Sequence, residues 1–280
     1  MGEEPGRATV AQAIREAVER LSASSGTARL DAELLMAEAL GMTRSDMLLT
    51  SGNAPSPAGF DALVERRMAR EPVAYILGRQ EFYGREFIVT PDTLIPRGDS
   101  EVLIEAASEL APAPCRTLDL GTGTGALLLT RLAECGGEGV GTDASEAALN
   151  VARRNADALN LSDRAEFCKA DWTGDGWAEG LGRFDLILCN PPYVETTAEL
   201  DPDVRDYEPH AALFAGEDGM DDYRCLVPQV ADLMNANGIA IFEIGHEQAE
   251  PVMELAVDHG FRTRLFRDLA DRPRAIALFR

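Results

Sequence analysis

Leu118-Asp119-Leu120-Gly121-Thr122-Gly123-Thr124-Gly125 runs out of an apolar strand, through three glycines, into the helical pattern Ala126–Ala133. Glycines here let the chain turn sharply and let a ligand come close to the main chain. The same alternation of strand and helix continues on both sides. Strands are predicted at Arg116–Leu120, Gly139–Thr142, Ala165–Cys168, Phe184–Cys189 and Ile239–Ile244, and helices near Asp99–Leu110, Glu146–Ala158, Tyr223–Met234 and Glu250–His259. Alternating strands and helices build a parallel sheet covered on both faces. Arg262–Phe266 and Arg274–Phe279 are joined by a loop with no room for a helix, so they form an antiparallel hairpin. The expected fold is α/β: a doubly wound, Rossmann-like, mostly parallel seven-stranded sheet ending in an antiparallel C-terminal hairpin.

The N-terminal part reads differently. Thr9 and Gln12 have the spacing of a capping box, and Val10, Ile14, Ala17, Val18 and Leu21 follow at helical period. Leu30, Leu34, Leu35 and Leu40 form a second stripe that stops at Gly41. Phe60, Leu63, Val64 and Met68 form a third, before Glu71-Pro72. Glu81 to Val89 reads as a hairpin turning at Gly84. The domains expected are therefore 1–78, small and helical; 79–96, a hairpin linker acting as a hinge; and 97–280, the sheet.

With 280 residues the chain has room for two domains at roughly 150 residues each. Its 45% hydrophobic content is too high for a disordered acidic chain. No apolar run reaches the ~20 residues of a membrane span. Charged residues within the first twenty positions leave no signal-peptide core. Five scattered cysteines without a Cys-x-x-Cys pair, and three histidines without ligand spacing, point to neither disulfides nor metal. A reducing cytoplasm is the expected location. The 48 acidic against 26 basic residues give a net charge of −22, which would repel a phosphate backbone. Neither nucleic acid nor membrane is an expected partner.

Asp143 closes the strand after the glycine loop, where an acidic side chain meets ribose hydroxyls. The spacing is Gly-x-Gly-x-Gly, without the third interval of a dinucleotide fingerprint, and Asp119 beside it suits a cation better than a phosphate. A sulfonium nucleoside with an amino-acid tail, S-adenosyl-L-methionine, fits this setting. Gly121, Thr122, Gly123, Thr124 and Gly125 with Asp143 are the candidate cofactor residues. Asp171-Trp172, after the third strand, adds a flat face for adenine and an acceptor for its amine.

The fourth strand runs directly into Asn190-Pro191-Pro192-Tyr193, at the sheet edge where ligands of open α/β folds bind. An NH₂ conjugated to a carbonyl or an aromatic ring is a poor nucleophile. The Asn190 side-chain oxygen and the Pro191 carbonyl could each accept one of its hydrogens, so that the lone pair points at the methyl sulfonium. Pro191 and Pro192 stiffen the backbone and contribute no competing N–H. Tyr193 could pack on the flat face of the amide. Catalysis of this kind is positioning and preorganised dipoles.

Together with these motifs, Thr93-Leu94-Ile95-Pro96-Arg97, Tyr207-Glu208-Pro209, Gly216-Glu217-Asp218-Gly219, Phe242-Glu243-Ile244-Gly245 and Asp271-Arg272-Pro273-Arg274 give a chain that resembles, over nearly its whole length, the bacterial HemK/PrmC family of release-factor glutamine methyltransferases. The resemblance implies a class I S-adenosylmethionine-dependent enzyme of protein methylation in translation termination. Its substrate would be the glutamine amide in the Gly-Gly-Gln loop of class 1 peptide chain release factors, with the helical domain helping to dock that partner. Gly121 to Gly125, Asp143, Trp172 and Asn190 match the family's cofactor positions, and Asn190 to Tyr193 match the substrate-amide clamp. One departure is Gly98-Asp99-Ser100-Glu101, where the family usually continues Pro-Glu/Asp-Thr-Glu. The rival readings are a ribosomal-protein glutamine as substrate, an adenine amine of nucleic acid, and a binding module without catalysis.

Overall fold

Each stripe of apolar residues finds a partner surface. In the computed structural model, which describes residues 8–280, the chain divides into two units: 8–78 with Leu200–Tyr207, and 79–199 with 208–280. The first unit is helical: α1 (Val10–Leu21), α2 (Ala28–Leu40), α3 (Arg44–Thr50), α4 (Phe60–Met68) and α5 (Val73–Leu77). Thr9 and Gln12 form the reciprocal capping box, and Gly41 ends α2 in the left-handed region at φ 66°. Leu21, Leu35, Met36, Met47, Phe60 and Val64 close the core. Helices α3 and α5, at 7 and 5 residues, are too short to show a period in the sequence.

Leu200–Tyr207 was expected within the sheet domain. It instead returns to the helical unit, because Asp203 pairs with the buried Arg67 and the Tyr207 hydroxyl donates to the Ala69 carbonyl at 2.7 Å.

The second unit begins with the hairpin β1 (Arg79–Phe82) and β2 (Arg85–Ile88), followed by α6 (Glu101–Leu110), β3 (Cys115–Leu120), α7 (Ala126–Cys135), β4 (Gly137–Asp143), α8 (Glu146–Ala158), β5 (Ala165–Lys169) and β6 (Phe184–Cys189). After α9 (Pro202–Tyr207) come α10 (Asp221–Leu233), β7 (Met234–Glu243), α11 (Ala249–Asp258), β8 (Arg262–Arg267) and β9 (Pro273–Phe279). The sheet order is β5-β4-β3-β6-β7-β9-β8, parallel through β7 and antiparallel for the last two strands. One face packs on α6, α7 and α8 and the other on α10 and α11, each through its own apolar cluster.

The hairpin is not a free linker. Phe82 and Phe87 are buried in the same cluster as Leu103 and Leu128. The Asn155 side chain of α8 accepts from the Ile88 amide at 2.7 Å and donates to the Ile88 and Thr124 carbonyls at 3.0 and 2.9 Å.

Register then sets the site. Leu120 lies opposite Thr142 on one side and Cys189 on the other, and Cys189 lies opposite Phe242. The next position along each strand, Gly121, Asp143, Asn190 and Glu243, therefore falls in one row at the carboxyl edge. That is where the strand order reverses, at β3, and where a doubly wound sheet offers a crevice.

Candidate active site

A cavity of about 640 Å³ opens above this row. Gly121, Thr122, Gly123, Thr124, Asp143, Asp171, Trp172, Asn190 and Pro192 all line it, so the structure brings together most of the residues singled out from sequence. Gly121 and Gly123 have φ of 70° and 54°, the left-handed region that side chains resist. A Cβ on Gly121 would press within 3.0 Å of the Trp172 ring, whereas one on Gly123 would meet nothing within 4 Å and enter the open space. The loop is thus shaped for close approach from the cavity side.

The Asp143 carboxylate is fixed from both sides. It accepts from the Ser145 amide on Oδ1 and the Gly123 amide on Oδ2, each at 2.9 Å. Burial raises its pKa and these two N–H groups counter the rise. The Trp172 indole N–H donates to Asp222 Oδ1 at 2.7 Å, which holds the ring at the cavity wall. Asp222 also lines the cavity and was not picked out from sequence, since a helix-borne aspartate among other acids carries no local signal.

Three expectations are corrected. Asp119 does not face a ligand: it is 1% exposed, takes a hydrogen bond from Thr122 Oγ1 at 2.6 Å, and has its pKa raised to about 7 by burial. Gly125 lies off the cavity, where an added Cβ would strike Leu129 at 2.9 Å, so it serves the turn into α7. Within the tetrad, Tyr193 turns away from the cavity lining. The Tyr193 hydroxyl donates to Glu243 Oε1 at 3.3 Å, and burial with the neighbouring Glu243 raises its pKa. The Tyr193 carbonyl is gripped by Gln248 Nε2 at 3.0 Å.

Two further carboxylates shape the walls. Glu208, 4% exposed, accepts from the Ile95 amide at 3.1 Å and pairs with Arg97, fixing the Thr93–Arg97 segment along the cavity. Glu243, 1% exposed, lies behind Asn190, with its pKa raised to about 7 by burial. Neither role is legible in the sequence, because the partners are far away in the chain. In the altered segment, Gly98–Ser100 forms a single 3-10 turn that buries Ser100 against Asn190.

The charged residues lining the cavity are Asp92, Asp143, Asp171 and Asp222 against Arg97 alone. This donor set suits a cationic sulfonium nucleoside and lacks the cationic clamp that a pyrophosphate needs. Among the described residues no group of His, Cys, Asp and Glu has the arrangement of a metal site, and no helix is long and apolar enough to cross a membrane.

Comparison with known proteins gives the same picture. A family model described as PrmC N-terminal domain matches residues 12–78, and one described as methyltransferase domain matches residues 113–249. The release factor glutamine methyltransferase of Cereibacter sphaeroides is 41% identical over 95% of this chain and 97% of its own. That of Moorella thermoacetica is 40% identical over 97% and 99%, and that of Agrobacterium fabrum 38% over 91% and 92%. Among solved structures, a methyltransferase from Pyrococcus furiosus aligns with a TM-score of 0.54 at 17% identity, over 78% of this chain and 96% of its own. The catalytic domain of hMettl16, in complex with MAT2A 3'UTR hairpin 1, aligns with 0.58 at 17%, over 81% and 84%. At such identities these two establish the methyltransferase fold alone. The sequence relatives go further: the chain belongs to the release factor glutamine methyltransferase family.

Proposed function

We propose that this chain methylates the side-chain amide nitrogen of the glutamine in the Gly-Gly-Gln loop of class 1 peptide chain release factors, using S-adenosyl-L-methionine. The observation that carries this reading is Asn190 at the carboxyl end of β6, lining the same cavity as the glycine loop, Asp143 and Trp172. The names of the relatives support the substrate. The cytoplasm, where translation terminates, is the compartment it implies.

When bound, S-adenosylmethionine supplies a methyl carbon activated on a positively charged sulfur. Gly121 to Thr124 would let it approach the backbone, Asp143 would accept from its ribose hydroxyls, and Trp172 with Asp171 would frame its base. Asn190 Oδ1 and the Pro191 carbonyl would each accept one hydrogen of the substrate NH₂. Two fixed acceptors hold the nitrogen and favour its pyramidal form, in which the lone pair is free to attack. Pro191 and Pro192 add no N–H to compete for those acceptors. Gln248, gripping the carbonyls of Tyr193 and Gly219 at 3.0 and 3.1 Å, keeps the tetrad from shifting. The departing proton passes to solvent after methylation, so no strong base is required.

Asn190→Ala is expected to lose roughly 10²–10³ in turnover, the scale of one preorganised polar group, while S-adenosylhomocysteine still binds by calorimetry. Labelled cofactor should mark a release factor but not its Gly-Gly-Ala variant. An unchanged Asn190→Ala rate would reject the clamp. Label entering DNA or a ribosomal protein instead of the release factor would reject the substrate.

A further inference from the structure

A carboxylate carries two oxygens, each able to accept, and a residue that spends one on its neighbour keeps the other for a ligand. Asp222 is placed in this way. It stands in the first turn of α10, whose Tyr223, Leu226 and Val227 are buried against the sheet, and the Tyr223 hydroxyl donates to the Glu243 carbonyl at 2.7 Å. That packing leaves Asp222 half-buried on the cavity wall.

Helix α10 holds Trp172 at two points. The indole N–H donates to Asp222 Oδ1 at 2.7 Å, and from the next turn the Cys225 thiol donates to the Trp172 carbonyl at 3.1 Å. The other end of the ring lies against Gly121, where an added Cβ would come within 3.0 Å of it. The flat face is therefore fixed at both ends, with a carboxylate at its N–H edge. Among the described residues no hydrogen bond reaches Asp222 Oδ2. Burial raises the pKa of Asp222, the indole N–H counters the rise, and the like charges of Asp221 and Asp171 add to it. A second donor is what this carboxylate lacks. Asp171, the acceptor that the sequence suggests for the adenine amine, is set differently. It is exposed, and its Oδ1 closes a turn by accepting from the Thr173 amide and hydroxyl at 3.0 and 2.7 Å.

Resting on the cofactor reading above, we infer that Asp222 selects the base: its Oδ1 pins Trp172, and its Oδ2 accepts from the exocyclic amine of an adenine lying on that ring. Adenine brings a donor to this edge. Hypoxanthine brings a carbonyl oxygen in its place, which a carboxylate repels. The arrangement admits S-adenosyl compounds and rejects S-inosyl compounds of nearly the same shape.

Calorimetry tests this without a release factor. The wild type should bind S-adenosylhomocysteine roughly 10–100-fold more tightly than S-inosylhomocysteine, the scale of a hydrogen bond to a charged group. Asp222→Asn is the decisive variant. Its amide oxygen can still accept from the indole, which turns its NH₂ toward the base, so that the amine meets a donor and the inosine carbonyl meets a partner. The preference should vanish or reverse. In ¹⁵N NMR spectra the Trp172 indole N–H, identified by its loss in Trp172→Phe, should exchange slowly in the wild type and in Asp222→Asn, and faster in Asp222→Ala. The ring then stays pinned in Asp222→Asn while the selectivity changes. Asp222→Asn that keeps the wild-type preference overturns the inference, as does a wild type that binds both compounds equally. If Asp171→Asn alone loses the preference, the amine belongs to Asp171. A chain that shows the preference yet leaves the release factor unmethylated fails the substrate reading only.

Discussion

Asp119 is an acid held beneath the active site and away from it. It is fully buried, Asp143 adds like charge, and the Thr122 hydroxyl with the Leu128 amide does not offset the loss of water, so its pKa stands near 7 against an ordinary value of 3.8. A carboxyl raised on folding takes up its proton more readily in the folded chain. Its stabilising contribution is complete below about pH 4 and is lost as pH rises toward and past 7. Asp119→Asn cannot titrate but keeps an oxygen for Thr122. The melting temperature of Asp119→Asn minus that of wild type should therefore grow as pH is raised from about 4 to about 8. A difference that stays flat across this range rejects the assignment. Asp119 also marks the limit of reading residues in a line. Asp143, Trp172 and Asn190 can be placed from sequence because each ends or closely follows a recognisable strand on the same edge. Asp119 sits two residues before the first glycine and so looks in the sequence like part of the site. That it points inward follows from the strand's alternation and from Thr122 folding back on it, and the motif shows neither. The contact of Ser100 with Asn190 is hidden for a related reason: it spans 90 positions of chain.

At the scale of elements, the hairpin β1–β2 depends on one side chain from α8. Asn155 is 1% exposed and satisfies the Ile88 amide, the Ile88 carbonyl and the Thr124 carbonyl together. Its oxygen and nitrogen thus join the hairpin to the glycine loop that lines the cavity. Truncation would leave the buried Thr124 carbonyl and the part-buried Ile88 amide and carbonyl without partners, and a buried group left so costs about 1–3 kcal/mol. Asn155→Ala should destabilise the protein by about 3 kcal/mol in chemical denaturation, and the Ile88 amide should be among the first to exchange with solvent. Stability within about 0.5 kcal/mol of wild type, the range of an ordinary surface change, would show that the hairpin is held by Phe82 and Phe87 alone. The two strands themselves were legible, since Phe82 and Phe87 flank a glycine turn. Their docking was not, because the contact with Asn155 spans 67 positions of chain.

For the molecule as a whole, the chain path is the telling feature. From the tetrad ending at Tyr193 the chain runs to Leu200–Tyr207, which belongs to the helical unit, and re-enters the sheet unit at Glu208, the residue that fixes Ile95 and Arg97 on the cavity wall. Besides the Tyr207–Ala69 bond and Arg70, its buried hold on the helical unit is Arg67, 6% exposed, which donates to Asp31 at 2.7 Å and to Asp203 at 2.5 Å. Burial disfavours the guanidinium, yet the two carboxylates raise its pKa above the usual arginine value, so it stays charged. Removing the cation leaves Asp31 and Asp203 facing each other without it, a change that costs roughly 3–5 kcal/mol when a buried pair is broken from one side. Arg67→Ala should then speed hydrogen exchange in α2, α4 and Leu200–Tyr207 together. Asp203→Ala leaves the Arg67–Asp31 bond in place, so it should free mainly Leu200–Tyr207 and cost less. If Arg67→Ala loosens that segment while α2 and α4 keep their protection, Arg67 is an anchor for the excursion only, and the stability of the helical unit lies in Leu35, Phe60 and Val64 instead.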